Sequence, residues 1–341
     1  MSSLSSSRST SRTRGLVAAA AASSLLLLAA ACSNQATSGS SAASTSTALP
    51  SSCKGSKPVL GVALPNTVNP YYVAMRQSFL DNGAKDGFDV KMAIANDSDS
   101  TQLSQVNSFI QQGVCAVALN AVNSGPGAAS VAALNQAKIP VFSVNVIISP
   151  DDLKTQNASI VQYVGADQTE GGKAMGTQLL KDMGATATIN AGIVGDPDQI
   201  PTNQRDAGFK SAISSDTNAK VGPTVNSKVD PNVSLQVTTD MLQGNSDINV
   251  IFADTGPGTV GALQAVSQLG KTGKVVVYGF CASETALTAT YKACAAQEPA
   301  QYAQIVVENV KKYIGGTKVP AQVLEPLKIF TSGTPGPGEV G

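Results

Sequence analysis

From Lys57 onward the chain alternates between two kinds of segment. Short runs of apolar and β-branched residues, such as 58–64 and 114–120, are separated by longer stretches with helical periodicity. The runs follow one another at about 25–30 residues, the spacing of strand–helix–strand units with parallel strands. A connection at 147–160 divides the pattern into two successive sets. The sequence therefore predicts two similar α/β domains, each with a doubly wound parallel sheet.

The pattern also gives approximate bounds for each element. Predicted strands lie at 58–64, 89–95, 114–120, 140–146, 161–165, 188–194, 219–225, 248–253 and 274–280. Predicted helices lie at 71–86, 100–112, 126–137, 169–183, 203–214, 232–243, 259–269 and 283–291. Because open parallel sheets bind ligands beyond the carboxyl ends of their strands, the loops that follow the strands are the predicted binding region.

The composition excludes several classes of function. The 341 residues include no histidine, which rules out histidine-based catalysis and histidine metal ligands. Lys and Arg together number 23, as do Asp and Glu, so no basic excess is available to neutralise the phosphates of a nucleic acid. We expect neither a nucleic-acid partner nor a metal site.

The first 31 residues have the features of a secretory signal peptide. Residues 1–14 contain three arginines and no acidic residue, and 16–31 are apolar apart from two serines. The alternative is a membrane-spanning anchor, but that needs roughly 20 apolar residues. The segment 28–32 resembles a bacterial lipobox, which implies cleavage before Cys32 and lipidation of that residue. We therefore expect an exported protein, lipid-anchored at the outer face of the cell membrane.

Four cysteines remain after Cys32, and an even number in an exported chain favours disulfides. Three pairings of Cys53, Cys115, Cys281 and Cys294 are possible. We favour Cys53–Cys115 and Cys281–Cys294, because Cys281 ends one predicted strand and Cys294 lies in the next. A metal site built from these cysteines is disfavoured, since the chain has neither CxxC spacing nor histidine.

Residues 256–261 match the GxGxxG pattern of dinucleotide-binding loops, after a predicted strand and before a predicted helix. Pro257 removes an N–H where a pyrophosphate needs donors. The next predicted strand ends at Phe280 and Cys281, not at an acidic residue for the ribose hydroxyls. We interpret these glycines as turn and helix-cap residues, and we expect no cofactor and no enzymatic activity.

Several segments resemble those of the ribose-type periplasmic sugar-binding proteins. In the first, at 62–73, a strand ends in a polar loop and Asn-Pro-Tyr-Tyr opens a helix. The other segments follow in the family's order, at 137–141, 163–167, 171–174, 205–209, 250–254 and 277–280. The resemblance covers roughly 57–330 and implies the type I periplasmic binding fold, in which a multi-strand hinge joins two lobes and the ligand binds between them.

Domain bounds follow from this resemblance and from the composition of the terminal segments. The signal peptide is 1–31, and the Ser-, Thr- and Ala-rich segment 32–56 is predicted to be a flexible tether. The predicted N-terminal lobe is 57–165 plus 298–325, and the C-terminal lobe is 166–297 plus 326–333. A disordered tail is predicted at 334–341.

The resemblance also implies ligand-binding residues between the lobes: Asn69, Tyr71, Tyr72, Asn145, Asn203, Thr255 and Gln297. In the family the paired aromatic residues stack on a sugar ring. Where the family has a charged clamp for sugar hydroxyls, this chain has uncharged residues, notably Asn145 and Asn203. These departures predict a neutral ligand that is less densely hydroxylated than ribose, or a ligand that is bound through different contacts.

The resemblance implies binding rather than catalysis. We expect the protein to bind a sugar-like or polyol-like small molecule and, as a monomer, to deliver it to an ABC permease. The alternatives are a nucleoside or autoinducer-like ligand, and a ligand sensor that presents its closed form to a membrane receptor. An exported NAD-type enzyme is the least favoured interpretation.

Overall fold

A computed structural model of the chain describes residues 49–341. The predicted signal peptide, Cys32 and most of the predicted tether lie outside the described residues. Among residues 49–341, no helix combines the length and the apolar character needed to span a membrane.

The described residues form twelve strands and nine α-helices after a short 3-10 helix at Ser51–Lys54. The strands are β1 (Val59–Leu64), β2 (Asp89–Ile94), β3 (Ala116–Leu119), β4 (Val141–Val144), β5 (Gln162–Ala166), β6 (Ile189–Gly195), β7 (Ala219–Asn226), β8 (Val250–Ala253), β9 (Val276–Phe280), β10 (Tyr291–Ala296), β11 (Gln322–Glu325) and β12 (Lys328–Phe330). The helices are α1 (Pro70–Lys85), α2 (Asp99–Gln111), α3 (Gly127–Gln136), α4 (Pro150–Thr155), α5 (Gln168–Met183), α6 (Ile200–Ile213), α7 (Pro231–Gly244), α8 (Gly256–Gln268) and α9 (Pro299–Ile314).

The strands form two six-stranded sheets, which confirms the predicted fold class. The first has the order β11-β5-β4-β3-β1-β2, and the second has the order β12-β10-β9-β8-β6-β7. All neighbours are parallel except β10 and β12. We call the first sheet with α1–α4 and α9 lobe one, and the second sheet with α5–α8 lobe two. The chain passes between the lobes three times: after β5, after β10 and between β11 and β12.

The central strands are buried because helices cover both faces of each sheet. Every residue of β3 and β8 is buried, and both strands consist of apolar residues throughout. One face of helix α9 packs on the core of lobe one through Tyr302, Val306 and Val310. These cores hold the carboxyl ends of the strands in place, and those ends define the region where a ligand can bind.

The predicted helix at 283–291 is wrong. The segment forms turns, and β10 begins at Tyr291. Strands β9 and β10 are parallel neighbours, and 281–290 is too short for a helical crossover, which takes about a dozen residues or more. The disulfide between Cys281 and Cys294 closes the same connection.

The predicted disordered tail at 334–341 is also wrong. Val340 is only 2% exposed and packs into the core of lobe one. Its carbonyl oxygen accepts a hydrogen bond of 2.7 Å from the backbone N–H of Gln297. The carbonyl oxygen of Gly341 accepts one of 2.9 Å from the N–H of Gly256 in lobe two. The tail is therefore ordered and contacts both lobes beside the hinge.

The last part of the predicted tether is structured as well. Residues Ser51–Lys54 form the 3-10 helix, and a disulfide joins Cys53 to Cys115 at the start of β3. Both disulfides, Cys53–Cys115 and Cys281–Cys294, have the predicted pairing. The segment just before β1 is thereby attached covalently to lobe one.

Candidate functional site

Lobe one contributes a cluster of buried tyrosines at the carboxyl edge of its sheet. Tyr71 and Tyr72 begin α1, where Pro70 occupies the first turn and the Asn69 side chain caps the helix by accepting from the Tyr71 N–H at 2.9 Å. The two rings pack edge-to-face with centroids 5.4 Å apart. Burial raises the pKa of both phenols, so both carry their protons at neutral pH.

Two further tyrosines extend this cluster. The Tyr163 hydroxyl donates to the Asn145 carbonyl oxygen at 2.9 Å, and Tyr302 lies in the first turns of α9. Within residues 49–341, the hydroxyls of Tyr71 and Tyr302 are buried and have no hydrogen-bond partner. Two buried polar groups of lobe one therefore have unused hydrogen-bonding capacity, which is uncommon for buried polar atoms.

Lobe two places a buried arginine opposite these tyrosines. Arg205 Nε donates to Gln168 Oε1 at 2.8 Å, and Arg205 Nη1 donates to the Asp254 carbonyl oxygen at 2.6 Å. The guanidinium carbon lies 3.7 Å from the centre of the Phe280 ring. Burial lowers the Arg205 pKa. The positive charge of Arg205 lowers the pKa of the four lobe-one tyrosines and so partly offsets the rise that burial causes. Arg205 of lobe two therefore lies close enough to the tyrosines of lobe one to interact with them electrostatically.

The arginine is connected to the hinge. Gln168 Nε2 donates to Gln297 Oε1 at 3.1 Å, and both glutamines are buried. Gln297 directly follows β10 at one of the three passages between the lobes. Two side-chain hydrogen bonds, Arg205 to Gln168 and Gln168 to Gln297, therefore connect α6 and α5 of lobe two to the hinge.

Three acidic residues lie at the carboxyl edge of the second sheet. Asp196 follows β6, Asp254 follows β8, and Asp206 is on α6. Asp254 Oδ2 accepts from the Asp196 N–H at 3.1 Å. Burial raises the pKa of Asp196, raises that of Asp206 to about 6, and raises that of Asp254 well above its ordinary value.

The lobes touch directly across the cleft. The Ile200 N–H donates to Ser124 Oγ at 2.8 Å, and Gln199 Nε2 donates to the Val122 carbonyl oxygen at 3.2 Å. These contacts join the loop after β3 in lobe one to the start of α6 in lobe two. The tyrosines and Arg205 are thus enclosed between two lobes in contact.

Comparison with known proteins places the chain in a family. The family described as "Periplasmic binding protein domain" matches residues 60–318, which is more than half of the chain. The chain belongs to the periplasmic binding protein family. This confirms the resemblance found in the sequence. Members of the family are extracytoplasmic binding proteins.

Among curated proteins, this periplasmic binding protein is similar to the ribose import binding protein RbsB of Bacillus subtilis (strain 168). The two are 27% identical over 289 residues, which cover 83% of this chain and 91% of RbsB.

Solved structures show the same fold. A periplasmic solute-binding protein from Actinobacillus succinogenes 130z with bound D-allose has a TM-score of 0.72 and 23% identity, with 80% of this chain and 97% of that chain covered. A solute-binding protein from Bacillus halodurans C-125 with bound myo-inositol has a TM-score of 0.73 and 20% identity, covering 81% and 96%.

In this periplasmic binding protein, some residues predicted to bind ligand also have structural partners. Thr255 caps α8, with its Oγ1 accepting from the Gly258 N–H at 3.1 Å. Asn203 is exposed, and its Nδ2 donates to the Pro197 carbonyl oxygen at 3.0 Å. Asn145 is buried with a positive φ of 64°. The structure does not gather Asn203 into the enclosed cluster.

Sequence reasoning missed four residues of the enclosed site: Asp196, Arg205, Asp206 and Asp254. One signal was available, because Asp254 directly follows a predicted buried strand and Asp196 comes two residues after another, at the end where such sheets bind ligands. In the sequence, the segment 205–209 indicates only the family resemblance and gives no sign that Arg205 is buried.

The glycines of 256–261 do not fit a dinucleotide. The Gly256 N–H is already bonded to the Gly341 carbonyl oxygen, and the Gly258 N–H is bonded to Thr255 Oγ1. A Cβ at Gly256 would lie 2.7 Å from the Cys281 carbonyl oxygen, so this glycine is needed for a close backbone approach. Helix capping and contact with the tail account for the motif.

Proposed function

We propose that this protein is the extracytoplasmic binding component of an ABC importer and that it binds a sugar-like or polyol-like small molecule between its lobes. The observation that carries the proposal is the enclosed site, in which polar atoms without partners in residues 49–341 accompany aromatic rings. Hydroxyl groups of a ligand would satisfy such atoms, and aromatic rings pack against the apolar faces of sugars. The extensive similarity to a ribose import binding protein supports the ligand class.

The work of such a protein is lobe closure. A ligand that contacts tyrosines of lobe one and Arg205 of lobe two gains its full set of contacts only when the lobes meet. Binding therefore shifts the population from open to closed, and the permease recognises the closed form. Gln297 at the hinge can couple ligand binding to lobe closure, because the Gln297 side chain is bonded to Gln168, which in turn is bonded to Arg205.

Within the proposed site we assign ring stacking to Tyr71 and Tyr72 and hydrogen bonding to the remaining predicted residues: Asn69, Asn145, Asn203, Thr255 and Gln297. Asn203 has to turn away from the Pro197 carbonyl oxygen to reach a ligand. We assign a positioning role to Arg205, which is bonded both to Gln168 on α5 and to the backbone of Asp254 after β8.

We further propose that residues 1–31 are removed and that Cys32 is lipidated, so that a monomer is tethered to the membrane beside its permease. Replacement of Cys32 by Ala tests the anchor. The wild type should incorporate labelled fatty acid and sediment with membranes, whereas Cys32→Ala should do neither. Equal labelling of the two proteins would contradict the proposed lipidation site.

Thermal unfolding of the purified mature protein tests the ligand class. Sugars, polyols, nucleosides and NAD are each added in excess. A ligand present at 1,000 times its Kd adds about 4 kcal/mol, a shift on the order of 10 °C for a protein of this size. We expect such a shift with a polyhydroxylated compound. Shifts confined to a nucleoside or to NAD would contradict the sugar or polyol proposal.

A further inference from the structure

Backbone hydrogen bonds attach the tail at 334–341 to lobe two. The Gly341 N–H donates to the Cys281 carbonyl oxygen at 3.1 Å, and the Gly341 carbonyl oxygen accepts from the Gly256 N–H at 2.9 Å. Earlier in the tail, the Pro335 carbonyl oxygen accepts from the Glu284 N–H at 3.1 Å. Cys281 and Glu284 follow β9, and Gly256 begins α8, so all of these partners belong to lobe two.

The side chain of Val340 packs against the opposite lobe. It is buried in the hydrophobic core that contains Tyr71, Tyr72 and Tyr302, and the other buried residues of that core all belong to lobe one. One tail residue is therefore packed in lobe one, while the next one along the chain, Gly341, is bonded to lobe two.

A cavity beside the tail shows where the tail crosses between the lobes. The cavity has a volume of about 130 Å³ and is lined by Asn69 and Pro70 of lobe one, by Gly256 and Pro257 of lobe two, and by Val340. The tail therefore lies between the start of α1 and the start of α8, next to a residue of the proposed ligand site.

Two further contacts fix the tail to the hinge. Val340 and Gln297 bond to each other in both directions, with N–H to oxygen distances of 2.7 Å and 3.3 Å. The Lys328 ammonium group donates to Glu298 at 2.8 Å and to Glu339 of the tail at 3.2 Å. If lobe two rotates away from lobe one, Val340 must leave the lobe-one core or the bonds of Gly341 must break.

We propose that the tail is a strap that stabilises the closed form, with Val340 held by lobe one and Gly341 held by lobe two. The inference rests on the proposed function, because lobe closure is the step at which such a protein retains its ligand. Val340 has a positioning role, since it acts on the balance between the open and closed forms and not on the ligand itself. The strap should therefore slow the release of ligand.

Hydrogen exchange at Ile200 tests this proposal in the ligand-free protein. Ile200 is the first residue of α6, so its N–H has no partner within that helix, and it donates across the cleft to Ser124 Oγ. Its exchange rate therefore reports how often the lobes separate. In Val340→Ala this amide should exchange about tenfold faster than in the wild type, because two buried methyl groups no longer favour the closed form.

A matched variant separates closure from general stability. Val310→Ala removes the same two methyl groups from the same core, but Val310 lies on α9 within lobe one. It should lower the free energy of unfolding while leaving the exchange at Ile200 unchanged. Truncation after Glu339 removes both Val340 and Gly341 and should speed the exchange at least as much as Val340→Ala. If the truncated protein fails to fold, the two alanine variants still decide the question.

Ligand release provides a second measurement. D-Ribose, D-allose and myo-inositol are the probes, and a probe that binds the wild type should dissociate about tenfold faster from Val340→Ala, with little change in association. Stopped-flow displacement measures these rates.

Two outcomes would overturn the inference. Equal exchange at Ile200 in the wild type and in Val340→Ala would reject the strap while the proposed function stands. Tighter binding of a probe to the truncated protein than to the wild type would mean that the tail occupies space that the ligand needs. A thermal panel in which no sugar or polyol stabilises the protein would count against the proposed function, whereas the exchange at Ile200, measured without ligand, would still decide the role of the strap.

Discussion

At the scale of single residues, the hydroxyls of two neighbouring tyrosines have different surroundings. Tyr163 donates to the Asn145 carbonyl oxygen, whereas the Tyr71 hydroxyl is buried without a partner among residues 49–341. Tyr71→Phe should therefore leave the free energy of unfolding unchanged or raise it by about 1 kcal/mol, and Tyr163→Phe should lower it by about 1 kcal/mol. Urea unfolding measures both. If the Tyr71 hydroxyl contacts the ligand, Tyr71→Phe also weakens binding; a loss of stability in Tyr71→Phe would contradict the assignment.

Asp206 makes the stability of the ligand-free protein depend on pH. Burial raises its pKa from 3.8 to about 6, while Lys210 and Arg205 act in the opposite direction and the Asp254 carboxyl lies beside it. Between pH 3.8 and about pH 6 the Asp206 carboxyl binds a larger fraction of a proton in the folded state than in the unfolded state. The free energy of unfolding therefore falls as pH rises through this range, by about 3 kcal/mol in all.

Asp206→Asn should remove this part of the pH dependence. Urea unfolding at pH 4 and pH 7, without ligand, measures the change in both proteins. Asp240→Asn, an exposed carboxylate of the same lobe, should retain the dependence of the wild type. Identical pH dependence in wild type and Asp206→Asn would show that the buried carboxyl does not titrate in this range.

At the scale of elements, the tail at 334–341 supports the hinge region. It buries the Val340 side chain in lobe one and bonds to Gln297 and Gly256. Deleting the tail should lower the free energy of unfolding by about 2–4 kcal/mol, since it removes a buried valine and several backbone hydrogen bonds. Val221→Ala, at an exposed site on β7, should change it by less than about 0.5 kcal/mol. A truncated protein as stable as the wild type would contradict this packing.

At the scale of the whole molecule, contacts across the cleft determine how long the closed form lasts. The bond from the Ile200 N–H to Ser124 Oγ joins the two lobes. Ser124→Ala should cost the closed state about 1 kcal/mol and raise the ligand dissociation rate about fivefold, with little change in association. Stopped-flow displacement measures the rates, and Ser108→Ala, at an exposed position of α2, is the control. An unchanged dissociation rate would mean that this bond does not stabilise the closed form.

The periodicity of the sequence is enough to predict most of the elements. The predicted strand at 161–165 is β5 at Gln162–Ala166, and the predicted helix at 169–183 is α5 at Gln168–Met183. The six-residue helix α4 was missed because it is too short to show a helical repeat. The helix wrongly predicted at 283–291 has acceptable local propensity, but the pairing of β9 with β10 does not leave enough chain to form it.

The sequence by itself determined the two parallel sheets, the cysteines available for pairing and the tyrosines that open α1, because periodicity, spacing and helix capping are local properties of the chain. Only the tertiary structure decided that Arg205 bonds to Asp254, that Asp206 and Asp254 converge at Gly195, and that the tail packs beside the hinge. Arg205 and Asp254 are 49 residues apart and lie on different elements. Their meeting depends on how α6 packs on the carboxyl edge of the sheet, which no local pattern in the chain encodes.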